Sequence, residues 1–318
     1  MTSGVDLGFE TGTLALDEPS LRRTRATEHV LGGTALVAFH ADRLDVLTLV
    51  RLSCLDVAGS EAGRASGLGQ CFVEGRAGAR YGLTDELELR ANLLRAVRPP
   101  TLGERYGVTA GTRGNSALEV EQGGAFDLGA RYEDTLSFLT FSLEAFAFAR
   151  LADDLIAYQR SALGYVRPYN VGQARFVGTE VSGALDAWRH LGVRGHVTWL
   201  DPRDVSSGRT TTNDLIPLLS RLTAVGEVEG YTTFEDGFLA RLGVVGSALY
   251  RGGRVADPAG LLIVPEQFSA DVSLVASSVR HHFTTRFRIE NVFDASLLDV
   301  VGYPLPGRAY WLALELEY

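Results

Sequence analysis

The chain contains no lysine, so all 30 of its basic residues are arginines. This absence excludes P-loop proteins, Schiff-base enzymes and enzymes with a Ser-x-x-Lys nucleophile, each of which needs a lysine. The two cysteines, Cys54 and Cys71, are too few for a disulfide framework or a structural zinc site. A net charge of −9 argues against a nucleic-acid partner, which usually leaves a basic surface on its protein.

Recognisable catalytic and metal-binding motifs are also missing. The sequence has no Gly-x-Ser-x-Gly, His-Glu-x-x-His or Gly-x-Gly-x-x-Gly motif. His281 and His282 would point to opposite faces of a strand, and His190 and His196 would lie roughly 20 Å apart along one. We therefore predict no enzyme activity, no catalytic residue, no cofactor and no metal site.

The sequence also lacks a run of about 18 apolar residues, which excludes a membrane-spanning helix but not a spanning barrel. Alternation with a period of two is present instead, most clearly at the end of the chain. Tyr310, Leu312, Leu314, Leu316 and Tyr318 fall on one face there, and more polar residues fall on the other. This pattern predicts a β-strand, and a closed barrel would pair such a terminal strand best.

The same period recurs along most of the chain and predicts roughly fourteen strands. The predicted strands are Val5 to Phe9, Ala35 to Phe39, Val46 to Cys54, Cys71 to Tyr81, Leu87 to Leu93, Phe126 to Tyr132, Leu139 to Ala149, Val177 to Leu185, Leu191 to Trp199, Leu222 to Gly230, Phe238 to Tyr250, Phe268 to Ala276, Phe283 to Ile289 and Tyr310 to Tyr318. No helix is predicted.

The predicted connections alternate between short and long. Tight turns are predicted at Ala41-Asp42, Thr84-Asp85-Glu86, Glu133-Asp134, Trp188-Arg189-His190, Phe234-Glu235-Asp236 and Ser277-Ser278. Long loops are predicted at Gly59 to Gly69, Pro99 to Gly124, Pro202 to Pro217 and Arg251 to Glu266. Short turns at one end and long loops at the other are typical of an outer-membrane barrel.

Alternation alone does not distinguish a sheet that faces lipid from one that faces a protein core, so a soluble lectin-like all-β protein is the competing interpretation. Strand length favours the membrane, because many strands reach the ten or so residues that a tilted strand needs to cross a bilayer. Aromatic residues near strand ends fit interfacial girdles. They are Tyr81, Tyr132, Trp188, Trp199, Tyr231, Tyr250, Tyr310 and Tyr318.

Five segments resemble motifs of TonB-dependent outer-membrane receptors, in the order that the family has them. The first two are similar to an Arg-Ala-Pro-Thr segment and the Gly-Asn segment after it, although Ser116 and Val120 replace two prolines of the second. The third is similar to an Asn-x-Gly-x-Ala strand, and the last two to an Asn-Leu-Phe-Asp and Gly-x-Pro-x-Pro-Gly-Arg pair. The segments are Arg95 to Gly107, Gly114 to Glu121, Tyr169 to Glu180, Glu290 to Asp294 and Gly302 to Arg308.

The resemblance implies an antiparallel transmembrane β-barrel that normally encloses a separate plug and draws energy through TonB. Such barrels have 22 strands, more than this sequence predicts. We therefore expect residues 1–318 to form a single barrel domain without a plug, the C-terminal portion of a receptor barrel. A truncated gene, a late start and a diverged smaller barrel are alternative explanations of the smaller strand number. The sequence does not decide whether the sheet closes into a barrel.

Site residues can be predicted only in outline. Arg90, Arg194, His196, Glu227, Arg286, Arg288 and Glu290 lie on polar strand faces and are the lumen-facing candidates. We expect most to brace the wall rather than to contact ligand. Arg98, Arg105 and Tyr106 are the loop candidates for ligand binding. Cys54 and Cys71 would form either a disulfide across a hairpin or two free thiols.

Two functions compete within this fold class. The first is an outer-membrane receptor that imports a scarce ligand such as a siderophore, a cobalamin or a glycan. The second is a passive, porin-like or adhesive barrel. The expected partners are outer-membrane lipid and the barrel assembly machinery of a Gram-negative cell, with TonB only where a plug and a TonB box precede the chain. The terminal segment from Tyr310 to Tyr318 resembles a barrel-insertion signal.

Overall fold

The structure is a computed structural model that describes most of the chain. It covers residues 2–18, 21–61, 64–107, 112–160, 165–188, 190–209, 211–235, 238–278 and 283–316. The His281-His282 pair and Tyr318 lie outside these ranges, as do Arg189 and Asp236 of two predicted turns. Among the described residues, no helix combines the length and the apolar character needed to cross a membrane.

The described elements are almost all strands. The first nine are β1 (Thr2–Glu18), β2 (Leu21–Ala41), β3 (Leu44–Glu61), β4 (Arg64–Gly82), β5 (Leu87–Arg98), β6 (Glu121–Leu136), β7 (Leu139–Arg160), β8 (Val166–Ala187) and β9 (Leu191–Asp204). The others are β10 (Leu222–Thr233), β11 (Arg241–Arg251), β12 (Arg254–Val255), β13 (Ile263–Val264), β14 (Gln267–Ser278), β15 (Phe283–Glu290), β16 (Leu298–Val300), β17 (Tyr303–Pro304) and β18 (Ala309–Leu316). One short helix, α1 (Leu102–Tyr106), lies between β5 and β6.

Fourteen strands form one antiparallel sheet in which sequence neighbours are spatial neighbours. Its order is β1-β2-β3-β4-β5-β6-β7-β8-β9-β10-β11-β14-β15-β18, and β12-β13 and β16-β17 form two small ribbons within loops. Each predicted strand falls within one strand of this sheet or overlaps it. The all-β antiparallel prediction is confirmed, while β1 and β18 stand at the two ends of the order.

The sheet has one charged and one apolar face. Register pairs such as Arg194 with Glu227 and Ser273 with Arg288 place charged side chains on a common face, because side chains alternate along each strand. The opposite face carries exposed apolar side chains, among them Leu128, Val228 and Leu312. We call these the polar face and the apolar face. A large exposed apolar face marks a surface that contacts another apolar phase.

The two edges of the sheet differ in their connections. Short turns join strands at one end, here named the turn edge, where Asp42 and Trp188 adopt positive φ angles of 47° and 49°. Long segments join strands at the other end, the loop edge, at residues 99–120, 205–221, 252–266 and 291–308. The predicted asymmetry is therefore present.

Two predicted connections are wrong. Residues Gly59 to Gly69 do not form a long loop, since β3 and β4 stay paired as far as Glu61 and Arg64. Glu133 and Asp134 are not a turn, because they pair with Ser142 and Phe141 inside the β6-β7 hairpin. Small and polar residues made both segments resemble loops, but backbone pairing continues through them.

The other predicted connections need smaller changes. The first tight turn lies at Asp42 and the next residue, and Ser277 and Ser278 are the last residues of β14. The loop predicted from Pro202 begins only after β9 ends at Asp204. The absence of helix was also predicted wrongly, since α1 forms within the loop that begins at Pro99.

Buried apolar side chains gather near the loop edge. One cluster joins Ala26, Leu55, Val57 and Phe72 of three strands to Tyr106 of α1. A second cluster includes Ala152, Val171, Ala174 and Ile216. The loops are therefore packed onto the polar face at this edge rather than extended away from the sheet.

The terminal strand presents its apolar residues as predicted. Tyr310, Leu312, Leu314 and Leu316 are 61%, 75%, 63% and 65% exposed. One predicted girdle residue differs, because Tyr231 lies on the polar face, where Arg241 stacks 4.0 Å from its ring centre. The alternation at the end of β10 carries Tyr231 away from the apolar face.

Candidate functional site

All seven lumen-facing candidates lie on the polar face. Arg194 Nη1 is 3.2 Å from Glu227 Oε1, and Arg288 Nη2 is 2.6 Å from Asp271 Oδ2. His196 Nε2 is 2.8 Å from Thr198 Oγ1. Most of these candidates are bound to neighbours on the same face. The full set is Arg90, Arg194, His196, Glu227, Arg286, Arg288 and Glu290.

Charges of opposite sign alternate across four strands near the turn edge. Arg90 Nη1 lies 3.4 Å from Glu144 Oε1, and Arg131 Nη1 lies 3.4 Å from the same oxygen. Arg80 Nη1 is 3.3 Å from Glu88 Oε2. These side chains are partly exposed, so each pair contributes little to stability by itself. Together they form a hydrated, charged wall.

Arg286 differs from the other arginines of this wall. Its register neighbours are Val275 and Ala313, and no carboxylate of the described residues lies within ion-pair distance of it. It lines a groove of about 420 Å³ together with Glu227, Glu229 and Arg241. This groove offers charges of both signs on the polar face of the sheet.

A denser network lies at the loop edge around Glu104 and Glu121. Arg98 donates to both: its Nη1 is 3.1 Å from each Glu104 oxygen, and its Nε is 3.1 Å from Glu121 Oε2. Tyr158 donates to Glu104 over 2.9 Å, and Arg150 donates to Glu121. Both carboxylates are buried, at 7% and 4% exposure. Several donors therefore compensate each of these buried carboxylates.

Helix α1 begins with a capping box. Thr101 accepts a hydrogen bond from the Glu104 amide, and the Glu104 carboxylate accepts one from the Thr101 amide. Burial alone would raise the pKa of Glu104. The Thr101 amide, Arg98 and Tyr158 outweigh burial, and the pKa lies below its ordinary value. The loop therefore depends on an ionised Glu104.

Two asparagines tie the loop after α1 to β8. The Asn115 amide donates to the Glu104 carbonyl over 2.8 Å, and Asn115 Nδ2 donates to the Pro168 carbonyl over 3.1 Å. Asn170 Nδ2 donates to the carbonyls of Glu119 and Asp154. Asn115 and Asn170 belong to the second and third family-like segments. In this structure both hold a loop in place.

The three loop candidates for ligand binding are largely engaged in support. Arg105 is 3% exposed and donates to the Leu118 carbonyl, and Tyr106 is 2% exposed within the first apolar cluster. Neither side chain is presented to solvent in this structure. Arg98 is partly exposed but bound to Glu104 and Glu121.

The last three long loops are joined to one another. The Leu218 amide donates to the Val255 carbonyl over 2.8 Å, and Asn213 Nδ2 donates to the Pro258 carbonyl over 3.1 Å. Arg254 Nη2 donates to the carbonyls of Leu298 and Asp299 at 3.1 and 2.7 Å. Loops 205–221, 252–266 and 291–308 thus form one connected layer at the loop edge.

The final loop is closed by a family-like segment. Asn291 exchanges hydrogen bonds with the Ala295 backbone through both of its side-chain atoms, each at 2.9 Å. Asp294 Oδ1 accepts from the Arg308 amide over 2.9 Å, which links the fourth and fifth segments. Gly302 adopts a φ of 86°, which glycine tolerates best.

Cys54 and Cys71 form a disulfide in this structure. They lie directly opposite each other in the β3-β4 register and on the apolar face. The sequence analysis left two alternatives, a disulfide or two free thiols, and predicted that Cys54 ends one strand and Cys71 begins the next. They instead lie within strands that continue to Glu61 and Arg64.

Several important residues were missed by sequence reasoning. The spacing of Thr101 and Glu104 was an available signal for a capping box. Glu121 ends the second family-like segment, which was also a signal. Tyr158 and Arg254 carried no comparable signal, since their roles depend on contacts between segments distant in sequence. Among the described residues, no group of three or more histidine, cysteine, aspartate or glutamate side chains could hold a metal ion.

These features define a class of protein. An antiparallel sheet of this size, with one apolar and one charged face and long loops at one edge, is the sheet of a transmembrane β-barrel protein. The family follows from a sequence comparison. The chain belongs to the TonB-dependent receptor family, because the family model described as "TonB dependent receptor-like, beta-barrel" matches residues 36–292. Members of this family are transport receptors of the Gram-negative outer membrane.

Solved structures show the same fold. The copper transporter OprC is similar to 99% of this chain with a TM-score of 0.76 and 15% identity, over 54% of its own length. The ferric-catecholate import receptor Fiu from E. coli K12 is similar to 99% of this chain with a TM-score of 0.73 and 16% identity, over 52% of its own length. The ferric yersiniabactin uptake receptor FyuA from Yersinia pestis is similar to 99% of this chain with a TM-score of 0.71 and 18% identity, over 51% of its own length. The chain thus spans about half the length of these receptors.

Proposed function

We propose that this chain forms part of the wall and outer loops of a receptor in the outer membrane of a Gram-negative cell. Residues 1–318 are then a single barrel domain, the C-terminal portion of the receptor barrel. The receptor imports a scarce ligand with energy delivered through TonB. The observation that carries this proposal is the pairing of a charged polar face with a connected layer of loops at the loop edge.

The ligand we propose is a chelate or another scarce nutrient, such as a siderophore, a cobalamin or a glycan. The names of the similar receptors mention copper, a ferric catecholate and ferric yersiniabactin, and these ligands belong to those proteins. In this chain, the seven lumen-facing candidates brace the barrel wall and contact the domain that fills the lumen. Ligand contacts come from the loop layer, with Arg98, partly exposed at the end of β5, beside the first loop.

The proposed partners follow from the same location. Lipid covers the apolar face, and TonB acts through a plug and a TonB box. The barrel assembly machinery reads the terminal segment with Tyr310, Leu312, Leu314, Leu316 and Tyr318. Replacing Tyr318 with alanine should lower the amount of protein in outer membranes severalfold, whereas Glu315→Ala on the opposite face should leave it unchanged.

Uptake by cells tests the proposed function. Cells that lack the gene, or that lack TonB, should both lose accumulation of one member of a panel of labelled ferric chelates, cobalamin and oligosaccharides. Restoring the gene should restore uptake only where TonB is present. Uptake that persists without TonB, together with steady conductance of the purified protein in planar bilayers, would support the passive barrel instead.

A further inference from the structure

Arg254 is a buried arginine without a carboxylate partner. Only 5% of the residue is exposed, and Nη1 is buried with no hydrogen-bond partner. Its neighbours in the loop layer include Val264, which pairs with it across the ribbon and is 0% exposed. A buried cation is destabilising unless an opposite charge compensates it. Two backbone carbonyls satisfy only part of this guanidinium.

A second arginine increases the unbalanced charge. Arg251 ends β11 on the polar face, half-buried. Burial and the repulsion of Arg251 lower the pKa of Arg254, and the Asp299 carboxylate offsets only part of this effect. Within the described residues, no carboxylate lies within ion-pair distance of either arginine. Glu266, an acidic residue of the same loop, accepts instead from the Tyr250 hydroxyl over 2.8 Å.

The surrounding donors converge on one place. Gln267 lies opposite Arg251 in the register and donates to the Leu298 carbonyl, as Arg254 does. Arg254 and Gln267 therefore both donate at the start of β16, and Arg251 lies in register with Gln267 on the neighbouring strand. Arginine binds carboxylate and phosphate oxygens through paired hydrogen bonds, and burial strengthens such contacts.

We propose that Arg251 and Arg254 form an oxyanion subsite at the mouth of the receptor. The group that it binds is a carboxylate or phosphate, from either an anionic ligand or the phosphates of lipopolysaccharide. Arg251 meets the anion on the polar face, and Arg254 supplies the buried donor that the two carbonyls leave free. Binding would also fasten loop 252–266 to loop 291–308. This inference deepens the proposed function, although anion binding itself requires neither TonB nor transport.

Calorimetric titration of the purified full chain in detergent tests the subsite. The probes are citrate, inorganic phosphate and lipopolysaccharide, each added separately. We expect saturable binding of at least one, weakened roughly tenfold or more by Arg251→Gln and by Arg254→Gln. Arg308→Gln, which removes one charge from an exposed position in the neighbouring loop, should change the affinity less than about twofold.

Folding and binding can be separated in these variants. Arg254→Gln removes a buried charge that its surroundings compensate only in part, so it should fold at least as well as the parent chain. Arg251→Gln changes a half-exposed residue and provides an independent test. Binding of lipopolysaccharide alone would identify lipid phosphate as the source of the anion, and binding of citrate or phosphate would identify a soluble ligand.

Two results would overturn the subsite: no saturable binding of any probe, or an equal loss in all three variants, which would indicate bulk charge. The uptake experiment fails separately. If the gene confers no TonB-dependent uptake while anion binding is intact, only the import proposal is rejected. If TonB-dependent uptake persists in both arginine variants and no anion binds, only the subsite is rejected.

Discussion

Glu104 and Glu121 are buried carboxylates that hold an outer loop against the polar face of the sheet. Each accepts hydrogen bonds from at least one arginine, and Arg98 contacts both. Removing one partner of such a buried pair leaves the other charge without compensation, which costs more than the pair itself contributes. The position of α1 therefore depends on a few named contacts.

Replacing Glu104 with glutamine should loosen α1 by about 1–3 kcal/mol, because Arg98 and the Thr101 amide lose a charged acceptor. Hydrogen exchange of the α1 amides, followed by mass spectrometry, measures this change. Glu235→Gln, at an exposed position on the turn edge, is the matched control and should have no effect there. Equal protection in all three proteins would contradict the assigned role.

The same carboxylate makes the loop sensitive to pH. The folded pKa of Glu104 lies below its ordinary value, so its contribution is fully present above an unfolded pKa of about 4.3. The contribution is lost as the pH falls through the lower folded pKa. Protection of the α1 amides should therefore decrease in the parent chain as the pH is lowered below about 4. It should decrease less steeply in the Glu104→Gln variant. A loop that loosens on raising the pH would oppose this sign.

Gly114 allows two backbone segments to come close together. A Cβ atom at this position would lie 2.4 Å from the Gly107 nitrogen and 2.5 Å from the Arg105 carbonyl oxygen. Gly114→Ala should therefore destabilise the loop by roughly 1–3 kcal/mol, since backbone cannot move aside as a flexible side chain can. Gly208→Ala, with nothing within 4 Å of the added carbon, is the control. Limited proteolysis of folded protein compares them, and equal cleavage rates would count against the close approach.

At the scale of single elements, the strands carry the difference between the faces. Leu274 and Val275 are neighbours in β14, with Leu274 on the apolar face and Val275 on the polar face opposite Arg286. Leu274→Arg should destabilise the protein in lipid by about 2–4 kcal/mol if it lies near the bilayer midplane, whereas Val275→Arg should be tolerated. Urea unfolding from lipid vesicles measures both variants. A larger cost at Val275 would reverse the assigned faces.

The β3-β4 hairpin is linked by the Cys54–Cys71 disulfide. Alkylation without a reductant should therefore modify neither thiol, and alkylation after reduction should modify both. Mass spectrometry of the intact chain distinguishes the two states, with a cysteine-free double serine variant as the control. Two modified thiols in the unreduced protein would exclude the disulfide.

Strands were easier to predict than their boundaries. Alternation identified all fourteen strands of the sheet because half of each strand faces an apolar phase. It failed near Gly59 and Gly69, where the strands continue beyond that phase and no longer need an apolar side chain at every second position. Backbone pairing there depends on the partner strand, which periodicity does not reveal.

The candidate site was predictable only in part for a related reason. Placing Arg194, Glu227 and Arg288 on one face needed nothing beyond the period of two. The burial of Arg105 and Tyr106 depends on how α1 folds back onto the sheet, which the sequence of the loop does not state. Arg254 became noticeable only when its distant neighbours Leu298 and Asp299 were seen beside it.

At the scale of the whole molecule, one sheet presents an apolar face and a charged face to different surroundings. The family and the similar structures identify the fold, and this chain spans about half the length of those receptors. The charged wall, the loop layer and the apolar face occupy the positions that an import receptor requires.

Nitroxide labels along β14 in lipid bilayers test this claim most directly. Single cysteines at residues 270–276 can be labelled, since the two native cysteines are joined to each other. Power saturation should show high accessibility to oxygen at even positions such as Val272 and Leu274. Odd positions such as Ser273 and Val275 should instead be accessible to a water-soluble nickel chelate. Accessibility without a period of two, or with the faces exchanged, would contradict a lipid-facing apolar surface and the membrane receptor built on it.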